Sequence, residues 1–308
     1  MATRLKKTEY LFTYMTIISL ACLVGGFFLG ASYMKNKIAA AEAAALEAAQ
    51  EQAEKEKMLR EQKLYREQDF VSFYFSVYAP ARAFKEDHFR ILAQQQANPQ
   101  QDIDDRLDEL TEMAEKHLGE LEKGTVSPSS PLLVQAKQRF ADSLRAYLDG
   151  IDHLRSAQNS NDLLDGELSA LPQMQPFLAS WLQAQTDVFH AVAAWESAYV
   201  TKRPLPSQAP SSVTLEDWNS LPFHYRSFLA ADYMAKAQVF NDYDPLDMTA
   251  RIDSLLTSNQ AAALGVKDIS TAIKVLHVTD AVRNNDFSKL RDKLYAGLKT
   301  PEMPFYVE

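Results

Sequence analysis

The sequence predicts an all-α protein with a single N-terminal transmembrane helix, a helical stalk and an elongated multi-helix bundle. Three observations predict this class. A run without charge stands near the N-terminus, helix-favouring residues fill the segment after it, and apolar residues recur at steps of three and four further on. Only nine of the 308 residues are glycine. This scarcity disfavours β-rich and dinucleotide-binding folds, because both use glycine in turns and phosphate loops.

Residues 11–34 follow a short tail at 1–10 and contain no charged side chain. A helix of this length reaches about 36 Å, which is enough to cross a hydrocarbon core of about 30 Å. Since backbone groups in lipid must bond to one another, the segment is predicted to be a transmembrane helix. A cleaved signal peptide is the alternative. Its apolar region is commonly about 7 to 15 residues long, so a retained signal-anchor is the favoured interpretation.

Cys22, Gly26 and Gly30 recur every four residues on one face of this helix. Gly26 and Gly30 match the GxxxG pattern that lets two membrane helices approach closely, so the three residues form a candidate transmembrane association face. Ordinary use of glycine in membrane helices is the alternative. Lipidation at Cys22 is disfavoured, because Ser19 stands where a lipobox has leucine.

The basic residues around the helix predict its orientation. Arg4, Lys6 and Lys7 precede it, whereas Lys35 and Lys37 follow it. Lys and Arg near a membrane helix favour the cytoplasmic side, so three against two favours a cytoplasmic N-terminus. We therefore expect a single-pass protein of a bacterial cytoplasmic membrane, with the bulk of the chain outside the cytoplasm.

Residues 35–69 are predicted to form a helical stalk. Ala, Glu, Gln, Lys and Arg, all good helix formers, make up almost all of 36–68, and no apolar heptad seam runs through it. A polar helix without an apolar stripe is typical of a solvent-exposed spacer, here of about 50 Å. A weak coiled coil through the alanines is the alternative.

Residues 70–202 are predicted to form a helical bundle, because apolar side chains there recur with helical spacing. The clearest helical patterns cover 102–123, 131–158 and 173–202. Gly124 and the SPSSP sequence at 127–131 predict the end of the first helix and the turn after it. Residues 70–84 are rich in aromatic residues and valine, and we predict a helix there with a break or kink at Pro80.

Residues 203–213 contain three prolines and three serines without periodicity, which predicts a linker. A C-terminal helical subdomain is expected over 214–308. Thr214 and Asp217 predict a helix start, with the helix continuing to Phe240. The further predicted helices cover 245–257, with Asp244 as its cap and Pro245 in its first turn, 267–283 and 286–298.

Composition and motifs exclude several classes of function. The net charge of −9 disfavours nucleic acid as a partner, because phosphate binding needs a basic surface. No phosphate-binding loop, dinucleotide fingerprint or nucleophile elbow is present, so no cofactor and no catalytic residue is predicted. A hydrolase built from scattered residues is the least favoured alternative.

The histidines give no metal-binding pattern, since no two of them are three or four residues apart. Asp187 and His190 have the carboxylate-x-x-His spacing, but a di-iron bundle needs two Glu-x-x-His motifs. His117 falls on an apolar helix face and is interpreted as a buried, hydrogen-bonded histidine. Pairing with Glu112 or Glu115 would make it a pH sensor.

Aromatic residues concentrate in the later helices, where core packing is the plain interpretation. Trp181, Trp195, Trp218 and Tyr225 form a candidate aromatic groove for an apolar ligand or a partner helix. The expected partners are the lipid bilayer, through residues 11–34, and another protein or a second copy of the chain.

These patterns predict a non-catalytic, membrane-anchored protein of the cell envelope that acts as an interaction scaffold, adaptor or assembly factor. An extracytoplasmic ligand-binding bundle that signals through a membrane partner is the alternative. The short tail at 1–10 is too small for an output domain, so a sensor would need such a partner.

Overall fold

The computed structural model describes residues 64–97, 102–156, 170–206, 208–258, 261 and 264–306, with Met15, Ile18, Leu20, Leu23, Met34, Lys35 and Lys37. Within these residues the protein is all-helical, and its one β pairing is an isolated bridge between Thr214 and Asp268. None of the described helices combines the length and apolar character that a bilayer crossing requires. Most of the predicted transmembrane helix at 11–34 lies outside the described residues, with Cys22, Gly26, Gly30 and nearly all of the stalk.

The chain divides into two compact units, Met1–Lys55 and Glu56–Glu308. The second contains the following helices: α1 Glu67–Phe73, α2 Ala79–Ala97, α3 Ile103–Lys123, α4 Pro131–Ser156, α5 Gln175–Trp195, α6 Leu215–Ser220, α7 Phe223–Lys236, α8 Pro245–Thr257, α9 Ile269–Val278 and α10 Asp286–Leu294. Two π-helices, Tyr74–Tyr78 and Glu196–Thr201, join α1 to α2 and extend α5. Short 3-10 turns cover Pro172–Met174 and Pro304–Tyr306.

Helix α5 is the centre of this unit. It packs against α4 on one side and α7 on the other, and nearly all of its residues from Ala184 to Trp195 are buried. A helix that is buried around most of its circumference has to be enclosed by other elements. The chain supplies them in order: α2, α3 and α4 pack in series before α5, and α8, α9 and α10 extend the core beyond α7.

The helix predicted over 70–84 is confirmed, but its irregularity lies before Pro80. The first π-helix, Tyr74–Tyr78, forms the turn just before Pro80. In a regular α-helix, the ring of Pro80 would lie too close to a carbonyl group of this turn. Proline has no N–H and clashes with the carbonyl four residues earlier, here that of Ser76. A wider turn at this point relieves that clash, and α2 continues through Pro80.

Several predicted helix starts are confirmed by their capping bonds. Asp102 accepts from the Asp104 amide at the start of α3. At α8, Asp244 and Asp247 cap each other's backbone groups in a capping box, and Pro245 is the first helical residue. Each cap satisfies amides that the first helical turn leaves without partners.

The single helix predicted from Thr214 to Phe240 is wrong: the structure has two helices there. Thr214 caps α6 as expected, but α6 ends at Ser220 and α7 begins at Phe223. Pro222 between them has no N–H to continue the helix and forces the preceding Leu221 out of the α region.

The Pro/Ser-rich segment at 203–213 is packed onto the helices at its described residues. The Tyr233 hydroxyl donates to the carbonyl of Pro210, and the Ile269 amide donates to the carbonyl of Val213. The segment therefore covers part of the body between α5 and α6, and one wall of the cavity described below comes from it.

The start of the described body is held by polar contacts around Asp69. Its carboxylate accepts from the hydroxyls of Ser129 at 2.6 Å and Ser130 at 3.1 Å. Burial raises the pKa of Asp69, but these bonds and the neighbouring Arg66 outweigh it, so the pKa is lowered overall. The Tyr199 hydroxyl also donates to the Leu64 carbonyl. The SPSSP turn thus holds α1, the first helix of the described body, in position.

Candidate functional site

A cavity of about 310 Å³ lies where the second π-helix, the Pro-rich segment and the turn from α6 to α7 meet. Its apolar lining consists of Ala193, Pro204, Leu205, Pro206, Leu221 and Pro222. Its polar lining consists of Glu196, Ser197, Thr201, Arg203, Ser220 and Tyr225. A mostly apolar cavity of this size with a few convergent polar groups is the usual form of a small-molecule site.

Glu196 is the charged residue buried in this wall, with 5% of its surface exposed. Its Oε2 atom accepts from the backbone amides of His224 at 3.1 Å and Tyr225 at 3.3 Å. Both amides belong to the first turn of α7, where helical N–H groups have no partner within the helix. The carboxylate therefore caps α7 from a distant part of the chain, at the positive end of the helix dipole.

The other carboxylate oxygen of Glu196, Oε1, accepts no hydrogen bond from any residue that the structure describes. Burial raises the pKa of Glu196 to about 7, although the two amides and the Arg226 guanidinium act in the opposite direction. A carboxyl group with this pKa exchanges its proton near neutral pH. One acceptor atom of the site is thus available to a ligand.

The second π-helix shapes this part of the cavity. It widens the end of α5 from Glu196 to Thr201, and the chain then reverses at Lys202, whose φ of 53° is left-handed. The Ser197 hydroxyl donates to the Arg203 carbonyl at 2.5 Å, which folds the following prolines back over the helix end. π-Helical turns and left-handed non-glycine residues are frequent where a chain is shaped for binding.

The His224 side chain points to a different set of partners. Its Nε2 atom lies 3.0 Å from the Lys299 carbonyl, and its Nδ1 atom lies 3.1 Å from the Tyr306 hydroxyl. Donation by Nε2 to the carbonyl leaves Nδ1 as acceptor from the tyrosine. Burial lowers the pKa of His224 to about 4. A neutral imidazole thus ties the C-terminal segment to α7.

A second buried carboxylate, Asp253 of α8, collects three donors. The indole of Trp218 at 2.7 Å and the guanidinium of Arg226 at 2.5 Å bond to Oδ1, and the Tyr295 hydroxyl at 2.6 Å bonds to Oδ2. Burial raises the pKa of Asp253 despite these partners. Every oxygen here has a donor, so this network joins α6, α7, α8 and the end of α10 structurally.

The four residues of the candidate aromatic groove are all buried and lie in different surroundings. Trp181 packs against Phe84, Phe140, Phe177 and Phe240. Trp195 meets the edge of His224, and Trp218 bonds to Asp253. Tyr225 is the member of this set that lines the cavity.

The histidine hypotheses have the following outcomes. His117 is buried, and its ring nitrogens lie 3.2 Å from Asp87 and 3.2 Å from Glu120, whereas the sequence suggested Glu112 or Glu115 as the partner. Asp87 comes from α2, a partner that helical spacing along α3 does not reveal. Asp187 pairs with Arg139, and His190 stacks on Phe228 instead of joining Asp187 in a site. No group of three or more His, Cys, Asp or Glu among the described residues could hold a metal ion.

Glu196 was not singled out by the sequence patterns, although one signal was present. It is the one acidic residue between Asp187 and Glu216, within a run of apolar and small residues. A carboxylate in such a run must find donors or raise its pKa, and Glu196 does both. Comparison with protein-family models, curated proteins and solved structures found no match for this chain.

Proposed function

We propose that this protein is a membrane-tethered, non-catalytic module of a bacterial cell envelope that acts as an interaction scaffold, adaptor or assembly factor. A single transmembrane helix anchors the chain, a polar helical stalk follows, and the body is held outside the cytoplasm. The uncharged stretch at 11–34 is the observation that carries the proposal, because its length matches the thickness of a bilayer.

The described residues of this stretch support the proposal. Met15, Ile18, Leu20, Leu23 and Met34 are helical, and between half and three quarters of each side chain is exposed. Exposed apolar side chains of this size are unfavourable in water and gain from contact with lipid or another protein.

The polar groups of the cavity support a binding role over a catalytic one. A nucleophilic serine needs a base within hydrogen-bonding distance of its hydroxyl. Ser197 instead donates to the Arg203 carbonyl, and the His224 imidazole is engaged by Tyr306 and Lys299. Glu196 is thus left as a hydrogen-bonding and charged group for recognition.

Alkaline carbonate extraction of cell membranes tests the tether. The full-length chain should stay in the membrane pellet, whereas a variant without residues 11–34 should appear in the soluble fraction. A variant with an equal-length deletion within the stalk, 36–59, is the control and should also stay in the pellet. Release of the full-length chain by carbonate would remove the basis of the proposal.

A ligand-binding sensor is the second candidate, and the cavity beside Glu196 favours it. In this alternative, the body signals through contacts that its membrane helix makes with a partner. Replacing Gly26 and Gly30 by leucine should abolish a signalling phenotype while leaving protein levels and membrane fractionation unchanged. A passive scaffold should tolerate the same pair of substitutions.

A further inference from the structure

We propose that the cavity at the end of α5 binds a small ligand that carries an ammonium group on an apolar body. Glu196 receives the ammonium group through Oε1, and the surrounding prolines and leucines receive the hydrocarbon part. This site does not depend on the membrane tether proposed above, because every residue that forms it lies in the helical body.

The charge of the ligand follows from the donors and acceptors in the wall. Oε2 of Glu196 is engaged by two amides, while Oε1 has no donor among the described residues. A buried carboxylate gains most from a partner that is both a hydrogen-bond donor and a cation. An ammonium group is both.

The apolar part of the ligand follows from the rest of the lining. Pro204, Leu205 and Pro206 form one side, and Leu221 and Pro222 form another. None of these side chains has a polar atom that could orient a ligand, so they contribute by excluding water from hydrocarbon. A volume of about 310 Å³ lies at the lower end of the range of small-molecule cavities, which fits a body of a few carbon atoms.

Two sources share this ligand chemistry, namely simple amines and free amino acids. Arg203 is exposed and lines the same cavity, so its guanidinium is placed to meet a second, anionic group on a ligand. An amino acid would use both Glu196 and Arg203, whereas a simple amine would use Glu196 alone. Binding experiments separate the two sources.

The competing interpretation is that Glu196 acts only as a cap for α7. A cap needs an oxygen acceptor for the amides of His224 and Tyr225. The side chain of glutamine has the same shape as that of glutamate, and its amide oxygen can accept the same hydrogen bonds. Recognition of an ammonium group needs the negative charge. Glu196→Gln therefore keeps the cap and removes the proposed recognition.

The test is calorimetric titration of the purified full-length chain, in non-ionic detergent at pH 8, with 3-methylbutylamine, leucine and 3-methylbutanol. The amine should bind and the alcohol should bind at least tenfold more weakly, because only the ammonium group adds an opposite charge to its hydrogen bond with the carboxylate. Leucine should bind more tightly than the amine, with a dependence on Arg203→Gln, if the ligand is an amino acid. An amine that binds more tightly than leucine assigns the site to simple amines.

Glu196→Gln should weaken binding of the amine tenfold or more, while thermal unfolding stays cooperative. Glu216→Gln is the matched control, since it removes the same charge from an exposed position of α6 outside the cavity, and it should leave binding unchanged. Leu221→Trp, which fills the cavity and keeps the carboxylate, should abolish binding. Equal binding of amine and alcohol, no binding of either amine or leucine, or unchanged affinity in Glu196→Gln would overturn the proposal.

Discussion

At the scale of single residues, Glu196 combines two roles that usually belong to different side chains. One carboxylate oxygen holds the first turn of α7, and the other accepts no hydrogen bond from a described residue in a side chain that lines the cavity. The first role fixes the position of the second, because a carboxylate bound by two amides cannot swing away from the wall. Affinity for a cation is then gained without ordering a long side chain on binding.

The raised pKa of Glu196 predicts a dependence of stability on pH. Its pKa is 4.5 in the unfolded chain and about 7 in the folded protein, so the folded state binds more protons between these values. The contribution of Glu196 to the free energy of unfolding should therefore be greatest below pH 4.5. It should fall as the pH rises to about 7. Arg203, Arg226, Tyr225 and Tyr306 surround the carboxylate, and the pKa of Tyr306 lies well above this window.

Comparison of the native chain with Glu196→Gln measures this effect. Between pH 4.5 and pH 7.5, the free energy of unfolding of the native chain should fall by about 2 to 3 kcal/mol relative to the variant. Asp247, whose pKa burial raises to about 6, titrates in both proteins and cancels in the difference. A difference that does not change with pH would show that the carboxyl titrates alike in the folded and unfolded chains.

The buried Asp253 network gives a second prediction at this scale. Asp253→Ala leaves Trp218, Arg226 and Tyr295 without their shared acceptor, so the free energy of unfolding should fall by about 3 to 5 kcal/mol. Tyr295→Phe removes one of the three donors and should cost about 1 to 2 kcal/mol. Denaturant unfolding of both variants, with exposed Glu216→Ala as control, gives the values. A loss below 1 kcal/mol for Asp253→Ala would mean that the network is not integral to the core.

At the scale of elements, the contact between α3 and the first π-helix depends on Gly124. A Cβ atom at this position would collide with the Ser76 backbone carbonyl, although the backbone angles of Gly124 suit any residue. Gly119, one turn earlier in α3, has no atom near its missing Cβ. The same added methyl group therefore meets a rigid backbone at one glycine and open space at the other.

The pair Gly124→Ala and Gly119→Ala tests this contact. Gly124→Ala should destabilise the protein by about 1 to 3 kcal/mol, because two backbone segments must move apart. Gly119→Ala should stabilise it by about 0.5 to 1 kcal/mol, because alanine favours the helix. Denaturant midpoints measure both. Similar midpoints for the two variants would contradict the close approach of Gly124 and Ser76.

The sequence predicts helices well where capping and periodicity agree. Thr214, Asp244 and Pro245 place helix starts correctly, because these signals are local. The π-helices were not predicted, because a one-residue widening of a turn leaves the apolar spacing almost unchanged. The division at Pro222 was missed because the aromatic pattern on both sides continues through it.

At the scale of the whole molecule, the cavity could not be predicted from sequence spacing. Glu196, the segment at 203–206 and the start of α7 come together only because α5 and α7 pack side by side. Of the residues proposed for an aromatic groove, Tyr225 lines this cavity. The other three, Trp181, Trp195 and Trp218, are buried in the hydrophobic core. Aromatic residues that fill a core and those that line a groove are the same residue types in a sequence. Only the packing of the helices distinguishes the two.

At this scale we propose that a bilayer-spanning segment and a polar stalk display this helical body outside the cytoplasm. The segment at 11–34 and the basic residues beside it carry this proposal. The residues that form the hydrophobic core and the cavity all lie in the second unit, Glu56–Glu308.

The most direct test is protease accessibility of a tag placed after Glu308, in cells with permeabilised walls and intact membranes. We expect the tag to be degraded without detergent, while a cytoplasmic control protein survives. Protection of the tag until detergent is added would place the body in the cytoplasm and contradict the proposed display.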